Sequence, residues 1–491
     1  WRNNAAYGFP MLEAQAHHRL KTLLRQEESD WPHHLTLSRL VGRSLRRRDT
    51  TLLQLPPSSG ERWWLGVLVP LCLNPGAAAI VLTPTQRKWL LQLELPRLKE
   101  QGLRLPCWQG LTPPPGQQLW ILDTDELIAV HQQNLLGERQ LLIPDADQLS
   151  DRLRRSLAIR IDHNDWERLR HAHPAMDQAL LDLHERLSRQ VFQEAARADD
   201  CVRLQGGACQ SLRDLLHLIQ PCPEPWTALL ATDPVQWAQW AELDHRLLQW
   251  TWQLGPLEPL QWLDGLIKNR PVLMLSESGE CSRIEHELNQ AKISITVTAT
   301  LREQELEEPL PLYAPRRQPL PNTEVYAQHL LEQSRRLILG RTGLTIVLVD
   351  DKQLRRQLTS ALAAEFGRRV VEESTAPESN GVISAHWDWW LQHHEQVPAP
   401  EQLIVALLPI ASLSSPLTAS RVERLKRRGE DWFRTLLLPE ALSLIPGAIA
   451  PLRRAGGRLA ILDGRLRGRS WGDQVLKQLE PWRPLQRLLP D

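Results

Sequence analysis

The sequence predicts an α/β protein with two blocks of parallel sheet and a segment of different character between them. In the N-terminal and C-terminal parts of the 491 residues, short apolar runs alternate with helical patterns. Such alternation is typical of parallel strands covered by helices. Between about residues 164 and 268 the apolar residues follow helical spacing instead. A chain of this length exceeds the size at which a single core keeps growing, so several domains are expected.

The first block begins after amphipathic helical patterns over residues 11–48. Its apolar runs are short and end at Pro, Gly or Asp, as expected for strands buried on both faces of a parallel sheet. Four strands are predicted there: Thr51–Leu55, Ala78–Leu82, Leu119–Leu122 and Leu141–Ile143.

The middle segment is predicted to be a helical insertion. Leucine, tryptophan and glutamine recur at helical spacing over Met176–Ala196 and Trp237–Leu254, without a convincing strand pattern. Strand patterns resume at Pro271–Leu275 and Ile293–Val297, which predicts a return to the first sheet.

A Pro-rich polar stretch, Glu308–Pro321, predicts a linker to the second block. The strands predicted beyond it lie near Leu344–Val349, Gln402–Leu408 and Arg458–Leu462. The predicted domain limits are 1–163 and 269–307 for the first block, 164–268 for the insertion, 308–325 for the linker and 326–491 for the second block.

The charge balance argues against a protein that is basic all over. Lys and Arg together number 58, as do Asp and Glu, so the formal net charge is zero. A local basic groove remains compatible with this balance. The runs Arg43–Arg48 and Arg424–Arg428 are either phosphate-tracking segments or solvated helix faces.

Cysteine usage and hydropathy predict a cytoplasmic protein without a membrane segment. The six cysteines show no C-x-x-C spacing, and no secretory signal pattern is visible. The most apolar stretch, Leu65–Leu82, is interrupted by Asn74, Pro75 and Gly76, which makes it too polar in its middle to span a bilayer.

Short motifs late in the chain carry a family resemblance. They lie at 407–417, 421–429, 432–434, 438–441 and 447–465. Their residue types and their order along the chain resemble the C-terminal motor domain of DinG/XPD-type superfamily 2 DNA helicases. The resemblance implies two RecA-like, P-loop-type α/β domains with an Arch-like insertion in the first. It also implies an ATP-dependent enzyme that binds single-stranded DNA across both domains.

Two earlier motifs fall in the family's order. The motif that contacts the DNA backbone in this family corresponds to Thr83, Pro84 and Thr85. The motif that couples ATP hydrolysis to DNA movement corresponds to Thr298, Ala299 and Thr300.

The phosphate-binding loop of the family corresponds to Pro57, Ser58, Ser59, Gly60 and Arg62. P-loop ATPases need Gly-Lys-[Ser/Thr], because the backbone cradles the phosphates, the lysine neutralises charge and the hydroxyl holds Mg²⁺. In this chain no lysine follows a glycine, and Trp63 stands where the hydroxyl is needed. Arg62 retains a positive charge in a different shape. The loop is therefore either a turn that caps the sheet or a residual ATP site.

The family's Asp-Glu-Ala-His motif corresponds to 144–147. Pro144 replaces the metal-binding Asp, Asp145 the catalytic Glu and Asp147 the His. Asp145 and Asp147 are the catalytic candidates from this motif. A rival for the metal-binding position is Asp123, which ends an apolar strand, although an acidic residue there is also typical of a helix cap.

The last family motif supplies Gln and two arginines to ATP. Here Pro446 replaces the Gln and Ala450 the first arginine, which leaves Arg453 as the third catalytic candidate. Because arginine fingers stabilise the transition state, these losses predict that ATP hydrolysis is lost or severely weakened. ATP with Mg²⁺ is a doubtful cofactor on this evidence. A working helicase with a rearranged site and a protein-interaction scaffold remain alternatives.

Two further side-chain groups have more than one interpretation. Relatives often hold an iron–sulfur cluster on four cysteines, but only Cys107 lies between Gln86 and Asp145, so no cluster and no other metal site are expected. Trp387, Trp389 and Trp390 either stack on single-stranded bases or pack in the core.

Overall fold

A computed structural model describes the chain over residues 11–27, 31–57, 59–74, 76–195, 201–204, 207–244, 246–267, 270–277, 283–302 and 308–485. Ser58 of the predicted phosphate loop and Cys281 lie outside the described residues.

The strands of the described residues are short. In chain order they are β1 (Thr51–Gln54), β2 (Ala78–Val81), β3 (Cys107–Gln109), β4 (Leu119–Leu122), β5 (Gln140–Ile143), β6 (Ile159–Ile161), β7 (Cys201–Arg203), β8 (Trp237–Asp244), β9 (Gln249–Pro256), β10 (Val272–Ser276), β11 (Val297–Thr300), β12 (Leu310–Tyr313), β13 (Thr345–Leu348), β14 (Val370–Glu372), β15 (Val382–Ala385), β16 (Gln402–Val405), β17 (Arg458–Ile461) and β18 (Trp482–Pro484).

The α-helices alternate with these strands in both blocks. They are α1 (Leu12–Glu27), α2 (His34–Arg47), α3 (Trp64–Leu73), α4 (Pro84–Trp89), α5 (Leu95–Glu100), α6 (Thr124–Gln132), α7 (Leu149–Leu157), α8 (His163–Ala172), α9 (Asp177–Ala195), α10 (Gly207–Leu218), α11 (Trp226–Leu230), α12 (Asp264–Ile267), α13 (Arg283–Gln290), α14 (Tyr326–Ile338), α15 (Lys352–Phe366), α16 (Trp387–His393), α17 (Pro416–Arg427), α18 (Leu438–Arg454), α19 (Arg465–Gly468) and α20 (Gly472–Gln478).

Two parallel sheets form the cores of two α/β domains. Within the described residues the first sheet has the order β11-β1-β10-β5-β2-β4-β3, and the second has the order β14-β15-β13-β16-β17-β12-β18. Their central strands are buried on both faces, which explains why they are continuous apolar runs in the sequence. The predicted α/β class with two RecA-like domains is confirmed. We call the sheets with their helices the first and second domains.

The insertion is only partly helical. Helices α8 to α11 pack on an antiparallel sheet of order β6-β9-β8-β7, so the helical prediction for Trp237–Leu254 is wrong. Trp237 pairs with Pro256 and Asp244 with Gln249 in a hairpin. On β9 the buried side chains recur at every second position, at Trp250, Trp252 and Leu254. This period of two belongs to a strand, and cross-strand pairs stabilise it.

Two smaller predictions also differ from the structure. The strand predicted at Ile293–Val297 begins only at Val297, because Ile293 follows α13 and donates its N–H to Leu288 O at 2.9 Å. The predicted linker contains β12, which pairs with β17 and β18 and buries Leu310 and Leu312. The prolines around this strand conceal its alternation. The domain limits otherwise stay a prediction.

A π-helical turn at Phe433–Leu437 continues into α18. Among the described residues this helix, Phe433–Arg454, is the one that passes a length and composition test for crossing a membrane, and 56% of its apolar window is buried. Its side chains Ile445, Ala448 and Ile449 pack in the core of the second domain. Core helices pass the same test, so this is weak evidence for a span. The absence of a membrane partner and the cytoplasmic location stay predictions.

Candidate functional site

The candidate site lies where β1, β5 and β10 end. These three strands are neighbours in the first sheet and parallel, so the segments that follow them meet at one edge. Ligands of open α/β sheets bind at the carboxyl ends of the strands. The segments are the loop 55–62, the turn 144–147 and the residues Ser276 and Glu277.

In the loop after β1, the side chain of Arg62 contacts the backbone of the loop itself. Gly60 adopts φ +50°, in the left-handed region that favours glycine, and a 3-10 helix runs from Gly60 to Trp63. Arg62 donates from Nε to Ser59 O at 2.9 Å, and its guanidinium lies 5.9 Å from the ring centre of Trp31. Ser59 is buried, and its Oγ has no hydrogen-bond partner in the part of the chain that the structure describes.

Trp63, which is predicted to stand where the family has its Mg²⁺-binding hydroxyl, is a core residue. Trp63 is buried and stacks on Trp64, with 4.0 Å between the ring centres. Trp64 Nε1 in turn donates to the carboxylate of Glu61. These contacts place Trp63 in the hydrophobic core of the first domain, where it supplies packing and no metal ligand.

Asp147 and Asp145 have different surroundings. The Asp147 carboxylate accepts from Ser276 Oγ at 2.9 Å and from Glu277 N at 2.7 Å, which ties the turn after β5 to the end of β10. Asp145 accepts through its backbone oxygen from Arg152 Nη2 at 2.6 Å, and its carboxylate lies 4.0 Å from Arg152 Nη1.

Four carboxylates crowd this edge of the sheet, and we call them the acidic edge: Glu61, Asp145, Asp147 and Glu277. Burial raises the pKa of Glu277 well above its usual value, and the negative charges of the other three raise it further. Burial also raises the pKa of Asp145, against the opposing effect of Arg152. The pKa of Glu61 is raised by burial and lowered in part by the Trp64 hydrogen bond. The edge therefore has a negative potential.

Negative potential alone does not define a cation site. Within the described ranges, no group of three or more His, Cys, Asp or Glu side chains has an arrangement that could hold a metal ion. Mg²⁺ with ATP as a doubtful cofactor stays a prediction.

An ion pair of the second domain, between Arg454 and Glu395, lies next to Gly60. Arg454 Nη2 lies 2.7 Å from Glu395 Oε1. A Cβ atom built on Gly60 would lie 3.5 Å from Glu395 Oε1 and 3.7 Å from Arg454 Nη1. The neighbouring His394 and then Arg454 lower the pKa of Glu395 to about 2, so its carboxylate stays charged at neutral pH.

Arg453 lies elsewhere. Its Nη2 donates to Leu479 O at 2.5 Å and to Glu480 O at 3.3 Å, at the end of α20. Successive helical residues point about 100° apart, so only one arginine of the pair at the end of α18 faces Gly60. The structure thus brings Arg454 close to Gly60 and places Arg453 against the end of α20, and the catalytic role of Arg453 stays a prediction. In the sequence, the only sign of this position is that Arg454 is a second basic residue directly after Arg453.

Asp123 is a helix cap. Its carboxylate accepts from Glu126 N at 2.8 Å, and Glu126 Oε2 accepts from Asp123 N at 2.7 Å. This reciprocal pair is a capping box at the start of α6. The structure thus favours the capping interpretation over a metal ligand.

The predicted DNA-contacting residues begin α4 at the carboxyl end of β2. Thr83 caps the helix by accepting from Gln86 N at 3.2 Å, and Gln86 Oε1 accepts from Thr83 N at 3.1 Å. Pro84 and Thr85 follow the cap and are exposed. They are accessible to a ligand on this edge, and their role stays a prediction.

The predicted coupling residues Thr298, Ala299 and Thr300 lie in β11 beside β1. Thr300 Oγ1 donates to Gln54 Oε1 at 2.5 Å, and Gln54 Nε2 donates to Glu285 Oε2 at 2.9 Å. The motif is thereby connected to the strand that leads into the Gly60 loop.

Two of the three tryptophans near residue 390 lie in the core, and Trp389 is partly buried against it. Trp387 and Trp390 are buried, and their Nε1 groups donate to Leu407 O at 3.0 Å and Ala448 O at 2.9 Å. These contacts favour the packing interpretation over base stacking.

Four of the described cysteines are free thiols: Cys72, Cys107, Cys209 and Cys222. Burial raises the pKa of Cys72 and Cys107 to about 12, as expected of thiols in apolar surroundings. The predicted absence of an iron–sulfur cluster stays a prediction.

Comparison with known proteins identifies the fold. No family model matches the chain, and no curated protein matches it by sequence. Among solved structures, Xpd4 of S. tokodaii is 13% identical with a TM-score of 0.59 over 93% of this chain and 100% of that chain. A structure titled XPD_Helicase is 11% identical with a TM-score of 0.64 over 93% and 99%, and one titled XPD_APO is 12% identical with a TM-score of 0.58 over 92% and 99%.

These similarities cover more than nine-tenths of the chain, so they include both α/β domains and the insertion. The chain therefore has an α/β fold of the kind seen in solved helicase structures. More particularly, it shares the fold of the solved XPD structures, which confirms the resemblance seen in the motifs at the level of the fold.

Proposed function

We propose that this protein is a DinG/XPD-like helicase-family protein that binds single-stranded DNA and has lost ATP hydrolysis, or nearly so. The observation that carries the proposal is the ion pair of Arg454 and Glu395 against Gly60, opposite the acidic edge. In this arrangement, carboxylates surround the place where an active relative would bind phosphates.

The electrostatics oppose a nucleotide. ATP hydrolysis requires positive groups and Mg²⁺ around the β- and γ-phosphates. The cleft presents several carboxyl groups to an incoming triphosphate, and each of them that is ionised repels the phosphates. Arg62 is the positive group of the loop, and it contacts Ser59 and Trp31.

The proposed DNA binding does not require the ATP-motif residues that this chain lacks. Nucleic-acid affinity comes chiefly from phosphate contacts, which need no nucleotide. The exposed Pro84 and Thr85 support a contact at the first domain, and the family resemblance of the motifs implies a binding path across both domains.

The test measures ATP turnover with and without single-stranded DNA, and DNA affinity with and without ATP and Mg²⁺. We expect no stimulated turnover and a DNA affinity that nucleotide does not change. DNA-stimulated turnover that Arg62→Ala or Asp145→Ala abolishes, while the surface variant Arg336→Ala retains it, would establish a working helicase instead. A protein without DNA affinity at low salt would leave the scaffold alternative.

A further inference from the structure

We propose that four arginines of the second domain form a binding pocket for the phosphate backbone of single-stranded DNA. This proposal rests on the proposed DNA-binding function and assigns a location to it. We call the group the arginine pocket: Arg316, Arg317, Arg467 and Arg469.

The arginine pocket lies beyond the carboxyl ends of two neighbouring strands. Arg316 and Arg317 follow β12, while Arg467 and Arg469 follow β17, which pairs with β12 in parallel. The two segments line a surface cavity of about 530 Å³ together with Gln318 and the backbone around Gly464. This size is within the usual range for ligand sites.

The two segments are held rigidly against each other. Gln318 Nε2 donates to Ile461 O at 3.0 Å and to Pro315 O at 3.2 Å. A Cβ atom on Gly464 would lie only 2.3 Å from Pro319 O, so glycine is required for this close approach of the two backbones. The pocket is therefore preorganised, which lowers the entropic cost of binding.

The buried carboxylate of Asp463, which precedes Gly464 in the chain, already has a positively charged partner. Asp463 is fully buried and accepts from Arg465 Nη2 at 2.6 Å and from Leu408 N at 2.9 Å. Arg465 thus has an internal partner. The arginines of the pocket differ, because all four are exposed and none has an ion pair among the residues that the structure describes.

An unpaired cluster of four guanidinium groups selects a polyanion. Guanidinium binds phosphate through two parallel hydrogen bonds and stays charged at all relevant pH values. The cluster is local, because the chain as a whole carries no net charge. A repeated phosphodiester satisfies several guanidinium groups at once, whereas a single small anion contacts only one or two.

The test compares the wild type with the variant Arg316→Ala/Arg317→Ala/Arg467→Ala/Arg469→Ala. The control variant, Arg336→Ala/Arg356→Ala, removes exposed arginines from α14 and α15 of the same domain. Fluorescence anisotropy with a labelled oligothymidylate of about 20 nucleotides gives Kd over a series of salt concentrations. Unpolymerised phosphate, polyphosphate of matched charge and an acidic peptide serve as competitors.

We expect the pocket variant to raise Kd by about tenfold or more and to reduce the slope of log Kd against log salt by about 0.7 for each lost contact. The control should change both values little, and circular dichroism should show that both variants are folded. If the pocket variant matches the control while the wild type binds DNA, the arginine pocket is overturned and the proposed function stands.

Other results overturn the inference in distinguishable ways. A wild type that binds no single-stranded DNA refutes the proposed function together with the pocket. Competition by polyphosphate or by the acidic peptide at the same charge concentration as DNA, lost in the pocket variant, would mean that the pocket is not specific for a nucleic-acid backbone.

Discussion

Arg283 of the first domain contacts Glu440 of the second, with 3.5 Å between Nη2 and Oε1. Arg283 also pairs with Asp151 at 3.2 Å and with Glu287 at 2.6 Å, and Glu440 accepts from Arg421 at 2.6 Å. The side chains of Arg283 and Glu440 are 12% and 16% exposed. A largely buried ion-pair network therefore joins the two domains.

Glu440→Gln should destabilise the protein. The change leaves Arg283 and Arg421 without a full counter-charge in a low-dielectric region, and breaking a buried pair typically costs about 3–5 kcal/mol. Urea unfolding measures the free energy. The matched control is Glu365→Gln, which breaks the exposed pair with Arg335 and should cost no more than about 1 kcal/mol. Equal effects of the two changes would contradict the buried network.

The same network should make stability fall in acid. Burial opposes ionisation of Asp151 and Glu440, but the neighbouring arginines outweigh it and lower the pKa of both. A lowered pKa gives stability that is present above the unfolded value, about 4, and is lost as pH falls through the folded value. In Glu440→Gln this acid-dependent loss should be smaller. An unchanged pH profile in that variant would refute the assignment.

Glu277→Gln should stabilise the protein at neutral pH. The pKa of Glu277 is raised, so its ionised form opposes folding, and the native state gains stability as pH falls through that raised value. Removing the charge should increase the free energy of unfolding at pH 7 and flatten the profile between pH 7 and the usual carboxyl range. Thermal unfolding over a pH series gives the comparison. A lower melting temperature at pH 7 would show that the charge has a native partner.

Arg453 and Arg454 should respond differently to alanine substitution. Arg453 binds the carbonyl groups that end α20, and hydrogen bonds from charged groups contribute about 1.5–3 kcal/mol. Arg454 forms an exposed pair with Glu395, so Arg454→Ala should cost about 1 kcal/mol at most. Chemical unfolding of both variants measures the difference. A larger loss in Arg454→Ala would reverse these roles.

Trp63→Thr should restore a hydroxyl to the phosphate loop without restoring ATP hydrolysis. Trp63 is 2% exposed and stacks on Trp64, and truncation of a buried Trp typically costs about 3–5 kcal/mol. Combined with Arg62→Lys, it supplies the lysine and the hydroxyl of an active loop, while Glu61 of the acidic edge still stands where that loop has a glycine. We expect reduced stability and no turnover, because the acidic edge remains. ATP turnover in the double variant would show that Arg62 and Trp63 alone account for the loss of hydrolysis.

Most of the two central sheets was predictable from the sequence. Strands β1, β2, β4, β5, β13, β16 and β17 appear there as short apolar runs, because a strand buried on both faces needs apolar side chains at every position. The order of the motifs carried the helicase resemblance, which the solved XPD structures confirm at the level of the fold.

By itself, then, the sequence determined the α/β class, the two parallel cores and the absence of a Gly-Lys phosphate loop. Each of these features depends on residues that are close together in the chain. Only the tertiary structure decided that Trp237–Pro256 is a hairpin, that Arg454 rather than Arg453 faces Gly60, and that carboxylates from separate loops converge there. Cross-strand pairing, helix phase and long-range electrostatics depend on residues distant in sequence, and folding alone brings those residues together.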